Sequence, residues 1–226
     1  MLRVPMTFIL PLVCLVTSSF ARADLSPKLA EYLNQRQAEF DQIDDSRRIV
    51  LEPLAKALAQ GLQGDKDTID VTFVCTHNSR RSHLGQIWGA AACDYHGISR
   101  IASFSGGTQA TAMNPRIVAA LERVGFEVVG SPGENPRYAV RWSDEAGVTC
   151  WSKTYADPAN PASGFCAVMT CTDADEDCPV VLGAAARIAL PFIDPKVSDD
   201  TPSEALTYDA RCRQIAREIL YAFGQV

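Results

Sequence analysis

The chain has 226 residues, 47% of them hydrophobic and 21% charged, with 14 Gly, 13 Pro, 8 Cys and a formal net charge of −6. That arithmetic suits one ordinary globular domain with a sizeable core and excludes collagen-like, disordered and disulfide-framework classes. The acidic balance argues against nucleic acid as a partner, because phosphate backbones require a basic face; a charged partner is expected to be small.

Residues 1–23 begin with the basic Arg3, continue through Phe8, Ile9, Leu10, Leu12, Val13, Leu15 and Val16, and end in the small-x-small site Ala21-Arg22-Ala23. This is the pattern of a secretory signal peptide, and its apolar run is shorter than the ~20 residues a bilayer core needs, so no stable membrane anchor is expected. The mature protein is expected to be exported, periplasmic or secreted. Residues 24–67 then read as an N-terminal helical extension. Ser26-Pro27 offers an N-cap with Pro at the first position, Leu29, Leu33, Phe40 and Ile43 follow at spacings near four, and Ile49, Val50, Leu54, Leu58 and Leu62 form a second run.

Gly61 and Gly64 mark a turn before the first strand, Ile69, Val71, Phe73, Val74. From there strand and helix alternate. A helix near 80–94 carries Leu84, Ile87, Trp88 and Ala91 on one face, and a strand follows at Ile101–Phe104. A helix over 115–124 opens after Asn114-Pro115, and further strands fit Phe165–Met169 and Ile188–Phe192. The closing helix opens on Thr201-Pro202-Ser203-Glu204, read as a capping box, and is expected to bury Leu206, Cys212, Ile215, Ile219, Leu220 and Phe223. This alternation predicts an α/β fold, a parallel sheet with helices on both faces, whose ligand site lies at the carboxyl ends of the strands.

Just after the first strand stands Val74-Cys75-Thr76-His77-Asn78-Ser79-Arg80-Arg81-Ser82. A loop passing from a strand end into a helix start turns backbone N–H groups inward, the helix N-terminus adds partial positive charge, and a guanidinium binds two oxygens of a tetrahedral anion. The same field favours an anionic sulfur, which makes Cys75 a nucleophile aimed at the centre of a bound oxyanion. Arg81 is its anion clamp; Thr76, His77, Asn78, Ser79, Arg80 and Ser82 complete the substrate-binding loop. Ser82 is placed to donate to the thiolate, and Asn78 to hold the loop. His77 and His83 lie where a zinc ion would defeat the cradle, so no metal is expected.

This run resembles the phosphate-binding loop of the low-molecular-weight protein tyrosine phosphatase superfamily, and Asn78-Ser79 resembles its thioredoxin-coupled arsenate reductase branch. The segment Cys171-Thr172-Asp173-Ala174-Asp175-Glu176-Asp177-Cys178-Pro179 is similar to that branch's redox segment. Ser105-Gly106-Gly107 and Asp194-Pro195 resemble the family's second strand exit and its general-acid pair.

The resemblance spans residues 68–226 and implies a three-layer α/β/α fold with a four-stranded parallel sheet. It also implies roles. Cys75 attacks arsenate, Arg81 and the loop amides bind its oxygens, Asp194 protonates the departing oxygen, and Cys171 and then Cys178 carry the disulfide to an external thioredoxin-like dithiol, with no bound cofactor. In the phosphatase alternative, Cys75 takes a phosphoryl group from an aryl phosphomonoester and Cys171 and Cys178 are idle.

The chain departs from the branch at Arg80, where a cysteine is common, at His77, where glycine is common, and at Gln86, where some relatives carry a potassium-binding Glu; that ion is not expected. An insertion at about 131–164, with Tyr138, Trp142, Trp151 and Tyr155, reads as a lid or substrate wall. Cys150 and Cys166 bracket part of it and are candidates to pair in an oxidising compartment; Cys93 and Cys212 read as packing residues.

Overall fold

The computed structural model describes residues 25–177 and 180–226; the signal-peptide reading and Cys178 fall outside the described residues. Four strands, β1 (Ile69–Cys75), β2 (Ile101–Gly107), β6 (Phe165–Met169) and β7 (Ala184–Ala189), form a fully parallel sheet in the order β2-β1-β6-β7. The chain leaves β1 to pair β2 on one side and later returns to place β6 on the other. The carboxyl ends of β1 and β6 therefore flank a switch in strand order, where α/β sheets open a crevice. The three segments predicted to carry chemistry leave adjacent strands there: Cys75 ends β1, Cys171 follows β6, and Asp194 follows β7.

Alternation along β1 sorts the core. Ile69, Val71 and Phe73 join a large cluster with α3 (Arg81–His96), α4 (Pro115–Val124) and α6 (Glu204–Phe223). Val74 and Cys75 instead meet Phe165, Ala167, Met169, Cys171, Ala174 and Val181 in a smaller cluster beside α5 (Thr172–Asp177). The sheet is thus sandwiched as expected, with α5 a short second layer. Gly85 and Gly89 let α3 lie close on β1, since a Cβ at Gly85 would stand 2.5 Å from the Phe73 ring.

The N-terminal helices α1 (Pro27–Ala38) and α2 (Asp45–Gln63) share the large core, with Leu29, Leu33, Leu51, Leu54 and Leu58 buried in it. Ser26 caps α1 as its sequence implies, accepting from Leu29 N, while its own N–H donates to Trp142 O. At the far end of α1 the Glu39 carboxylate takes Arg36 and, from α6, Arg213. Burial would raise the Glu39 pKa, but these hydrogen bonds outweigh it and hold the carboxyl below its ordinary value.

Three local expectations are corrected. The last strand starts at Ala184, four residues earlier than predicted, because Ala184-Ala185-Ala186-Arg187 offers no β-branched or alternating signal; Leu190 N and Phe192 N continue the pairing by donating to Met169 O and Thr170 O. The closing helix starts at Glu204 without a side-chain cap: the Thr201 hydroxyl donates to Ser198 O, and Glu204 accepts from Asp200 N. Leu206 and Ile49 are exposed, at 74% and 68%, because each lies on the solvent side of its helix. β3 (Glu127–Gly130), just before the insertion, pairs with β4 (Tyr138–Arg141) and β5 (Gly147–Cys150) of the insertion in a small antiparallel sheet.

Candidate active site

Cys75 emerges from β1 with its sulfur 3.1 Å from the Ser82 hydroxyl, which in turn accepts from Asn78 Nδ2 at 2.8 Å. The Asn78 amide fills an acceptor position on Ser82, leaving the Ser82 proton to point at the sulfur. Asn78 adopts a left-handed backbone (φ 43°), a conformation Asn tolerates better than most residues, and this bends the loop back around Cys75.

The loop's carbonyls are tied to its surroundings. Thr76 O accepts from Gln109 N and Thr108 Oγ1, His77 O from Ser152 Oγ and Thr111 Oγ1, and Ser79 O from Asn114 N. In a trans peptide the C=O and N–H point oppositely. Anchoring these carbonyls outward therefore turns the amides of His77, Asn78 and Arg80 the other way, toward the concavity that the first turn of α3 completes. Among the described residues no group accepts from the amides of His77 through His83. Converging donors at a helix start form a cradle for an oxyanion.

Gly107 is a tight point of this assembly. A Cβ there would lie 2.3 Å from Gln109 O, 2.7 Å from Asn78 N and 2.8 Å from Thr76 O. Backbone cannot yield as a flexible side chain does, so Gly107→Ala is expected to destabilise the fold by about 1–3 kcal/mol. A urea unfolding curve reads this as a lower midpoint with an unchanged slope.

Arg81 is buried, with Nη1 donating to Phe192 O and Nη2 to Asp194 Oδ2, both at 2.8–2.9 Å. Its Nε has no partner among the described residues. The Asp194 carboxylate caps the following turn through Lys196 N and stays one hydrogen bond from Arg81. The structure thus brings Cys75, Arg81, Ser82, Asn78 and Asp194 to one place. Arg80 turns away: its guanidinium donates to Tyr208 OH and Asp199 Oδ2, locking the loop to α6 and the segment before it. The His77 side chain is exposed, and Ser79 is buried.

Cys171 is buried in the same small cluster as Cys75. Its sulfur lies 3.6 Å from Thr76 Oγ1, on the residue after Cys75, and accepts from Ala174 N at 3.3 Å. Cys150 and Cys166, by contrast, are free thiols. Cys150 ends β5 with its sulfur 3.6 Å from Gln86 Oε1 of α3, whereas Cys166 is embedded in β6, so their bracketing of the insertion in sequence does not pair them. Burial pushes both thiols up to about 12, and does the same for Cys93 and Cys212.

Sequence reasoning missed the residues that hold the loop from outside, Ser152, Lys153, Gln109 and Asn114. Each acts through a backbone group or a common hydroxyl, and no motif marks such contacts. The insertion supplies two of them: Ser152 holds His77 O, and Lys153 N donates to Asn78 Oδ1 at 2.8 Å. It buttresses the loop.

No family model matches the chain. An arsenate reductase of Staphylococcus epidermidis is 25% identical over 131 residues, covering 58% of this chain and 80% of that protein. The chain resembles the arsenate reductases. Among solved structures, a low-molecular-weight protein tyrosine phosphatase from T. tengcongensis superposes with a TM-score of 0.46 at 16% identity, over 67% of this chain and 95% of that one. A thioredoxin-dependent arsenate reductase from Corynebacterium glutamicum superposes with a TM-score of 0.38 at 18% identity, over 84% of this chain and 96% of that one.

Proposed function

We propose that the chain is an exported thiol enzyme that reduces arsenate to arsenite through Cys75, Cys171 and Cys178. The observation that carries this reading is the position of Cys171, buried beside the Cys75 loop with its sulfur at the Thr76 hydroxyl. A phosphatase has no use for a second thiol there.

The Cys75 thiolate attacks arsenic while the cradle amides and Arg81 Nε hold its oxygens, and Asp194 supplies the proton with which one oxygen departs as water. The Cys171 thiolate then attacks the Cys75 sulfur: the S–S bond forms, the As–S bond breaks, and its electron pair passes to arsenic, which leaves as arsenite. Cys178 attacks Cys171, freeing Cys75, and an external thioredoxin-like dithiol reduces the Cys171–Cys178 disulfide. The Ala174 N–H donates to the Cys171 sulfur and holds it in place for the second step.

A second reading, hydrolysis of aryl phosphomonoesters through a phosphocysteine, is favoured by Ile193 and Val197. These apolar side chains flank Asp194 at 68% and 73% exposure and offer an aryl leaving group a surface. The two readings share the first attack and part at Cys171. Purified mature protein assayed with arsenate plus dithiothreitol, and separately with p-nitrophenyl phosphate, tests them. Arsenite formation is expected to vanish in Cys171→Ser and Cys178→Ser while any aryl phosphate hydrolysis persists. A wild-type protein that makes no arsenite yet hydrolyses p-nitrophenyl phosphate would overturn the reductase reading in favour of the phosphatase.

A further inference from the structure

Behind the catalytic loop, between α3, β2 and the small antiparallel sheet, lies a cavity of about 520 Å³. Its size is that of a small-molecule site, roughly 300–1,000 Å³. None of the residues from Cys75 to Ser82 lines it.

Its polar lining is dominated at one end by donors. Lys153 is 4% exposed, yet no carboxylate comes within ion-pair distance and nothing accepts a hydrogen bond from its ammonium among the described residues; the Trp151 ring, 4.2 Å away, is its contact. Burial depresses its pKa, against the attraction of Cys150 and Asp157, while Arg137 opposes its charge as well. Gln86 spends its Oε1 on the Ser105 hydroxyl and the Cys150 thiol, and among the described residues nothing accepts from its Nε2. The Ser103 hydroxyl is buried without a partner among the described residues.

Donors that line a cavity without a protein acceptor are available to a ligand that brings one. The carboxylates of the lining stand elsewhere. Asp94 is eight residues beyond Gln86 on α3, about 12 Å along the axis at 1.5 Å per residue, and already accepts from Trp142 Nε1. Glu145 belongs to the exposed turn after Trp142.

We propose that this cavity is a second ligand site that takes a small aromatic carboxylate, its carboxylate on Lys153 and Gln86 and its ring toward Trp142, since Arg137 and Lys153 already lie over the Trp151 ring. A planar monoanion suits one ammonium and one amide, whereas a dianion would meet Asp94 and Glu145 with no cation but Lys153 in the lining. The site is joined to the catalytic loop by the Lys153 backbone, whose N–H holds Asn78, which holds Ser82, which faces Cys75. It does not depend on which reaction Cys75 performs.

The test is a benzoate titration of the mature protein followed by tryptophan fluorescence, since Trp142 and Trp151 both line the cavity. Wild type is expected to show a saturable change with a Kd of about 1 mM, as befits a ligand this small. Arg81→Lys, which alters only the catalytic cradle, keeps it, and Lys153→Met weakens it about tenfold or more. Ala90→Phe fills the cavity without touching Lys153 and abolishes the change, which keeps the test decisive where Lys153→Met does not fold. Absence of saturation in wild type, equal binding in Ala90→Phe, or loss in Arg81→Lys would each overturn the proposal.

Discussion

Cys75→Ser is expected to lower turnover of arsenate and of p-nitrophenyl phosphate alike by about 10⁴-fold or more, the scale on which enzymes lose a nucleophile. The surrounding geometry explains why one atom matters so much. Everything aimed at position 75 stabilises an anion: the Ser82 hydroxyl at 3.1 Å, the inward-turned amides of the loop, and the start of α3. A sulfur in that field is a strong nucleophile, whereas a serine oxygen in the same place attacks poorly. The substitution is nearly isosteric in a buried site, so the melting temperature should move little, and the loss belongs to the chemical step. Steady-state kinetics of both reactions, with circular dichroism as a check on folding, measure it. Retention of either activity within tenfold of wild type would remove Cys75 from the mechanism.

What the sequence disclosed follows from how locally each feature is encoded. The Cys75–Arg81 loop is contiguous, so its residue types and spacing survive in one dimension, and the helix over 115–124 carries its own cap in Asn114. The outer wall of the cradle is different. Gln109 N, Asn114 N, Ser152 Oγ and Lys153 N reach the loop from about 30 to 75 positions away and contribute single polar groups with no pattern of their own. The four-residue strands of the insertion are too short for alternation to declare itself. Arg80 shows the same limit: its charge beside the cradle is plain in the sequence, but its engagement with Tyr208 and Asp199 depends on where α6 packs. Periodicity likewise placed Leu29, Leu33, Leu54 and Leu58 correctly on buried faces, while Leu206 and Ile49 satisfied the same rule and face solvent, since composition does not say which side of a helix another element will cover.

His83 should give the fold an acid limb of its own. It occupies the first turn of α3, fully buried, with Nδ1 3.2 Å from the Ser105 hydroxyl and Nε2 without a partner among the described residues. Burial first, and the nearby Lys153 charge second, push its pKa down from 6.5 to about 3. The unfolded chain protonates this imidazole near pH 6.5 and the folded chain only near pH 3. Stability from keeping it neutral is therefore complete above pH 6.5 and is lost as pH falls through the window between, at about 1.4 kcal/mol per unit. Across the window this comes to about 4–5 kcal/mol, a large share of the 5–15 kcal/mol that holds a domain of ordinary stability together. Carboxylates with lowered pKa values, Glu39 among them, add their losses only below about pH 4.5, where the unfolded chain begins to protonate them. Urea unfolding between pH 7 and 5 thus isolates the histidine contribution. His83→Gln, which retains a polar group for Ser105 but cannot charge, is expected to remove about 2 kcal/mol of the stability lost between pH 7 and 5. An unchanged loss in the variant would mean that His83 is protonated within the fold, and that the core behind the catalytic loop accommodates a second cation beside Lys153.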